Sequence, residues 1–150
     1  MLRKFSFGAV AALAATLCTA DLVSAQGTGP EAKAMLEKAV AAVKADKAKA
    51  IVMFNNGEGG FKDRDLYPFC FQLSDGIEVA APPSVRGKDV RTLKDPTGKA
   101  FGEELYKAGQ SETISEVSYM FPKPGETTPS PKVSYVTKAG DLGCGVGYYK

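Results

Sequence analysis

Apolar and polar positions divide the chain into an apolar leader, one long helical stretch, a hairpin, a helical middle and a closing run of strands. Between residues 31 and 54, Leu36, Ala39, Val40, Val43, Ala50, Ile51 and Phe54 recur at helical spacing, with Lys33, Glu37, Lys44 and Lys49 among them. The spacing predicts a single amphipathic helix over residues 31–54, opened after Pro30 and stopped in Asn55-Asn56-Gly57-Glu58-Gly59-Gly60, where glycine removes helical preference. At about 1.5 Å per residue such a helix reaches about 35 Å.

Residues 67–73 are aromatic-rich and lead into Ser74-Asp75-Gly76, a tight-turn signature, after which residues 77–80 run back as a second strand. The middle, residues 82–109, holds turn formers and two short helical patterns, 88–93 and 99–108, the second carrying Phe101, Leu105 and Tyr106. Three runs rich in Val, Tyr and Ile close the chain, 113–121, 132–138 and 142–149, with a proline-rich loop over 122–131. This order predicts an α+β domain whose antiparallel sheet carries helices on its faces. No internal repeat or composition shift divides it, so residues 26–150 are expected to form one domain.

The leader has its own pattern. Arg3 and Lys4 precede an apolar stretch over residues 5–17 that is short for a membrane span, and Val23-Ser24-Ala25 offers the small residues of a cleavage site. Residues 1–25 therefore read as a cleavable export signal, with a mature chain beginning near Gln26 in the periplasm. Cys18 would suit a lipid anchor only after a small residue, and Leu17 stands there. No later stretch approaches the roughly 20 apolar residues of a membrane span.

Charge and cysteine content then narrow the function classes. Without Arg3, Lys4 and Asp21, the 19 basic and 17 acidic residues become 17 and 16, a balance with no pull toward nucleic acid or an anionic membrane. Cys70 and Cys144 survive cleavage; in an oxidising compartment they can form a disulfide, and the alternative is two buried thiols. A bridge would close most of the domain, worth about 4 to 5 kcal/mol in the loop-entropy model. The chain contains no histidine, which removes Ser-His and Cys-His nucleophilic pairs and the commonest transition-metal ligand. Neither an enzyme nor a cofactor or metal is expected.

Three short motifs carry little. Gly143-Cys144-Gly145-Val146-Gly147 resembles part of a dinucleotide fingerprint but lies in the last strand with no helix after it; close approach of a ligand or helix explains the glycines better. Gly98-Lys99 lacks the spacing of a phosphate loop, and Asp63-Arg64-Asp65 lacks the rest of a calcium loop. A richer signal is the set Tyr67, Phe69, Phe71, Tyr106, Tyr119, Phe121, Tyr135 and Tyr148 with Arg86, Lys88 and Lys132. Tyrosine gives an apolar ring and one hydroxyl, and Arg or Lys pairs with carboxylate, the means by which a small apolar cavity orients an anion. Core packing is the competing explanation for each ring. Alternation places Tyr67, Phe69 and Phe71 on one face, and Val117, Tyr119 and Phe121 on one face.

The phrases Gly59-Gly-Phe-Lys-Asp-Arg-Asp-Leu-Tyr67, Ser74-Asp-Gly76, Gly87-Lys-Asp89, Lys99-Ala-Phe-Gly102, Val117-Ser-Tyr-Met-Phe-Pro-Lys-Pro-Gly125, Lys132-Val-Ser-Tyr135 and Cys144-Gly-Val-Gly-Tyr-Tyr149 together resemble the single Cache domain family over nearly the whole mature chain. The resemblance implies a PAS-like five-stranded antiparallel sheet with a long N-terminal helix packed on it and a short helical insert. It also implies an extracytoplasmic ligand sensor, often of short organic acids. The pocket would lie between the sheet and the insert over 82–109, with Tyr67, Phe69, Arg86, Lys88, Tyr106, Tyr119, Lys132 and Tyr135 as ligand-binding candidates. One departure stands out: relatives often read Ala-His-Pro where this chain has Ala80-Ala81-Pro82, so any contact from that histidine is absent. The resemblance further implies a free-standing periplasmic protein, whose signalling would need a membrane receptor or kinase partner. The alternative expectation is a structural or interaction module whose sheet is filled by its own aromatics and binds no small ligand.

Overall fold

The computed structural model describes residues 26–150. The export signal expected over residues 1–25 lies outside these described residues.

The helix expected over residues 31–54 is two helices, α1 (Gly29–Ala45) and α2 (Lys47–Asn56). Asp46 leaves the helical region at φ −159° and ψ 96°, and its carboxylate accepts from Lys49 N at 3.0 Å, so one residue ends α1 and caps α2. Apolar spacing runs on across Asp46, which hid the break. α1 opens in a capping box between Thr28 and Glu31, and Arg64 bonds the same carboxylate at 2.7 Å. Arg64 beside it, with help from Thr28, holds the Glu31 carboxyl down at about 2. α2 ends at Gly57, whose φ of 68° is the left-handed conformation glycine adopts without strain.

Five strands follow the predicted runs: β1 (Pro68–Gln72), β2 (Glu78–Ala80), β3 (Ser115–Pro122), β4 (Pro129–Ala139) and β5 (Leu142–Tyr149). They form one sheet in the order β2-β1-β5-β4-β3 with every neighbouring pair antiparallel. The proline-rich loop is shorter than expected because β3 and β4 continue into it, pairing Met120 with Pro131 and Pro122 with Pro129. β5 ends opposite Lys132, so Pro129 and Pro131 lie past its end, where a missing N–H breaks no ladder bond on that side.

The sheet has two covered faces. Against one, α1 lays Leu36, Ala39 and Val43 onto Cys70, Ala139, Leu142, Cys144 and Val146. Cys70 and Cys144 are register partners on β1 and β5 and are joined by a disulfide, which resolves the choice between bridge and thiols. The other face is covered by the insert, with a 3-10 turn at Val90–Thr92 and the helix α3 (Phe101–Ala108), packed on Phe69, Phe71, Val117, Tyr119 and Val136. Asp95 pins the insert to the sheet: one carboxylate oxygen accepts from Thr97 N and Lys99 N, and the other accepts from Met120 N of β3 at 3.1 Å.

Candidate functional site

Strand alternation selects what faces the insert. On β5 these are Gly143, Gly145 and Gly147, while Leu142, Cys144 and Val146 go to the α1 side. A Cβ on Gly143 would overlap the Phe71 ring, one on Gly145 the Phe69 ring, and one on Gly147 Cε of Lys132. The glycine row is a trough in which two β1 rings and the Lys132 stem lie. Gly143 also admits the end of α3: a Cβ there would lie 3.0 Å from Cα of Gly109, the residue that closes the helix, so the close helix approach expected of these glycines occurs at this one.

Lys132 is the centre of the site. It is a lysine only 2 % exposed, in a strand paired on both sides. Its Nζ donates to the Tyr67 hydroxyl at 3.0 Å. The same nitrogen lies 4.5 Å from the ring centre of Tyr67, 5.1 Å from Phe121, 5.2 Å from Tyr149, 5.9 Å from Phe69 and 6.0 Å from Tyr119. Ring faces attract a cation that has been stripped of water. Burial works against the ammonium, and the hydroxyls of Tyr119, Tyr67 and Tyr149 outweigh it, pushing its pKa up so that it stays charged. Burial in turn raises the Tyr119 and Tyr149 phenols, which stay neutral. Tyr119 shares a 2.8 Å hydrogen bond with Ser134 and stacks on Phe101 of α3 at 4.3 Å; Tyr149 donates to the Pro122 carbonyl. The cage is thereby held from the sheet and from the insert.

A second charged residue shares this space. Glu78 is 3 % exposed, and its Oε2 has no hydrogen-bond partner among the described residues. Burial pushes its carboxyl up to about 8 despite the opposing pull of Lys132, so it is mostly neutral at pH 7. A bulge directs it here. Cys70 pairs with Ala80 but Phe71 pairs with Glu78, so Val79 is the extra residue of β2. Val79 and Ala80 both belong to the core on the side of α1 and α2, and Glu78 turns to the insert side.

Between Glu78, Lys132, Tyr67, Phe69 and Tyr119 and the insert residues Val85, Leu93, Phe101 and Leu105 lies a cavity of about 20 Å³, room for one water-sized group. Tyr67, Ala81, Pro82 and Phe121 form its wall on one side, and the same residues line a groove of about 570 Å³ on the surface, between the end of α2 and the β3–β4 loop.

Of the eight candidates, the fold brings together Tyr67, Phe69, Tyr119 and Lys132. The other four stand elsewhere. Tyr135 lies three residues from Lys132 on β4, which sends it to the opposite face, where it packs with Tyr148 under α1. Tyr106 turns outward beside Phe71, donates to the Leu73 carbonyl at 2.7 Å and carries Arg91 on its ring. Arg86 lines the outer groove and clamps the Ala81 carbonyl at 2.8 and 3.0 Å. Lys88 is exposed and meets Glu78 only through its backbone carbonyl, which accepts from Glu78 N. Phe121 stood in the wider aromatic set but not among the eight candidates, and Glu78, Ser134 and Tyr149 stood in neither.

A five-stranded antiparallel sheet of this order, with helices on one face and a helical insert on the other, is a fold of the PAS-like class. The family model for single Cache domain 2 matches residues 28–149, and the chain belongs to that family. Three solved structures share the fold. A methyl-accepting chemotaxis protein from Vibrio parahaemolyticus RIMD 2210633 is 27 % identical, with a TM-score of 0.62, over 80 % of this chain and 86 % of that one. A periplasmic sensor domain of a chemotaxis protein is 25 % identical at a TM-score of 0.61, over 80 % and 88 %. A Cache chemosensory domain solved for its carboxylic acid recognition is 25 % identical at 0.60, over 80 % and 86 %. Cache domains are extracytoplasmic sensory modules that bind ligands. Among the described residues, no helix is long and apolar enough to cross a membrane.

Proposed function

We propose that this Cache domain is a periplasmic sensor of a short monocarboxylic acid, held in the cavity at Lys132. The observation that carries the reading is a buried lysine with no carboxylate within ion-pair distance among the described residues. Tyr67 and the rings surround this ammonium but bring no counter-charge, and a small anion beside Nζ would neutralise it. Tyr67 and Tyr119 add hydroxyls beside that position, and Phe69, Phe101 and Leu105 offer apolar surface to a short alkyl tail. A two-carbon or three-carbon acid needs more room than one water, so binding would shift the wall shared with the outer groove. Export by the leader over residues 1–25 and relay through a membrane receptor or kinase complete the reading.

A thermal-shift series with acetate, propionate, lactate and pyruvate against amino acids and amines tests it, since a ligand of the folded state alone raises the melting temperature. A saturable rise with monocarboxylates alone is the expected result. A flat response to every acid would contradict the reading and favour a protein-interaction module.

A further inference from the structure

The function of Glu78 is not explained by packing. Its buried carboxyl has Oε2 without a hydrogen-bond partner among the described residues, in a cavity that Lys132, Phe69, Leu93 and Leu105 also line. A structural carboxylate would be expected to close an ion pair with that lysine, yet the two stand beyond 4.0 Å. The gap between them is the cavity, and each side presents unused hydrogen-bonding capacity. Lys132 donates to Tyr67 and has two further N–H groups directed among the rings.

Charge balance decides what fits. With Glu78 ionised, the pair is neutral and an added anion would leave a net negative charge in a dry site. With Glu78 protonated, the site is cationic, the anion neutralises it, and the Glu78 hydroxyl becomes a donor. Anion binding and protonation of Glu78 therefore favour each other. We propose that Glu78 is the specificity-determining residue of the cavity, a proton-bearing donor that grips the ligand carboxylate opposite Lys132, so that each acid anion is bound together with one proton. This rests on the reading of the site as a carboxylate pocket and adds how that pocket responds to pH.

The groups facing Glu78 are few. Lys132 on β4, Tyr67 ahead of β1 and Tyr119 on β3 share the cavity, with Tyr149 of β5 behind Lys132. The insert contributes only apolar walls there, Val85, Leu93, Phe101 and Leu105 among them. Both phenols for which burial sets the titration, Tyr119 and Tyr149, are pushed up. Glu78, pushed up to about 8, is thus the group that changes state between pH 6 and 9.

Isothermal titration of the purified protein with acetate at pH 6 and pH 9, in buffers of differing ionisation enthalpy, tests the proposal. The expected result is about tenfold weaker binding at pH 9, with close to one proton taken up per acetate there and almost none at pH 6. Glu78→Gln, which keeps a donor but cannot titrate, should bind acetate equally at both pH values. Equal affinity and no proton uptake in the unaltered protein would overturn the role of Glu78 and leave the carboxylate pocket standing; the proton count decides this even if Glu78→Gln fails to fold. Absence of acetate binding at either pH, together with a flat response to the longer acids, would overturn the pocket itself and the proposal with it.

Discussion

The two faces of the sheet solve different problems with the same strands. Toward α1, β5 presents Leu142, Cys144 and Val146, and the neighbours are Leu36, Ala39, Val43 and the Cys70 partner. Toward the insert it presents glycines, over which lie Phe71, Phe69 and the Lys132 stem. The first face is hydrocarbon and a covalent bridge, which stabilise by burial and by constraining the unfolded chain. The second holds a lysine and a glutamic acid whose burial carries a desolvation cost that apolar residues of similar size would not. The difference separates a face that holds the fold together from a face that bears the candidate site.

Substitutions can break this contrast. The largest expected effect belongs to the α1 face: replacing both Cys70 and Cys144 by Ala should cost about 4 kcal/mol, as the loop model gives for a separation of 74 residues, read from the denaturant midpoint. Leu36→Ala, at a fully buried position, should cost about 3 kcal/mol, with acetate affinity in the folded protein unchanged within about twofold. Lys132→Met should reverse the balance: acetate affinity falls about 100-fold or more, about 2.7 kcal/mol, while the melting temperature holds or rises. A loss of stability with binding intact would assign Lys132 to the packing face instead.

Smaller effects follow from pH. Glu78 has its carboxyl raised in the folded state to about 8 from an ordinary 4.5. Its contribution is therefore full below pH 4.5 and is lost as pH climbs through about 8, the unfolded chain releasing the proton first. In that window stability should fall by up to about 1.4 kcal/mol per pH unit, and Glu78→Gln should flatten the slope of melting temperature between pH 5 and 8. Glu31, held down at about 2, has the opposite sign and loses its contribution only as pH falls below 4.5 toward 2. Smallest of all, Lys47→Ala removes the exposed pair with Asp141 and should change stability by less than about 0.5 kcal/mol.

Much of the architecture was legible because its signals are local. The Ser74-Asp75-Gly76 turn, the glycine-bearing last strand and the apolar stripe on α1 each announce their element within a few residues. The break at Asp46 was hidden because capping requires no change in the apolar pattern on either side. Tyr67, Phe69, Tyr119 and Lys132 were legible as chemistry, a basic residue among tyrosines. Tyr135 could have been removed by counting, since an odd separation along one strand changes the face. Glu78 could not: strict alternation gives it the face of Ala80, and only the bulge at Val79 turns it toward Lys132.

The trough of β5 is also the most direct reporter of the site. Amides of Gly143, Gly145 and Gly147 lie behind Phe71, Phe69 and Lys132, and Leu36, Ala39 and Val43 stand on the other side of the sheet. A residue-resolved NMR titration with acetate at pH 6 should shift Gly145, Gly147 and the Lys132 amide in a saturable way and leave the α1 amides nearly still. Shifts confined to the outer groove near Arg86, or none at all, would contradict a carboxylate site at Lys132.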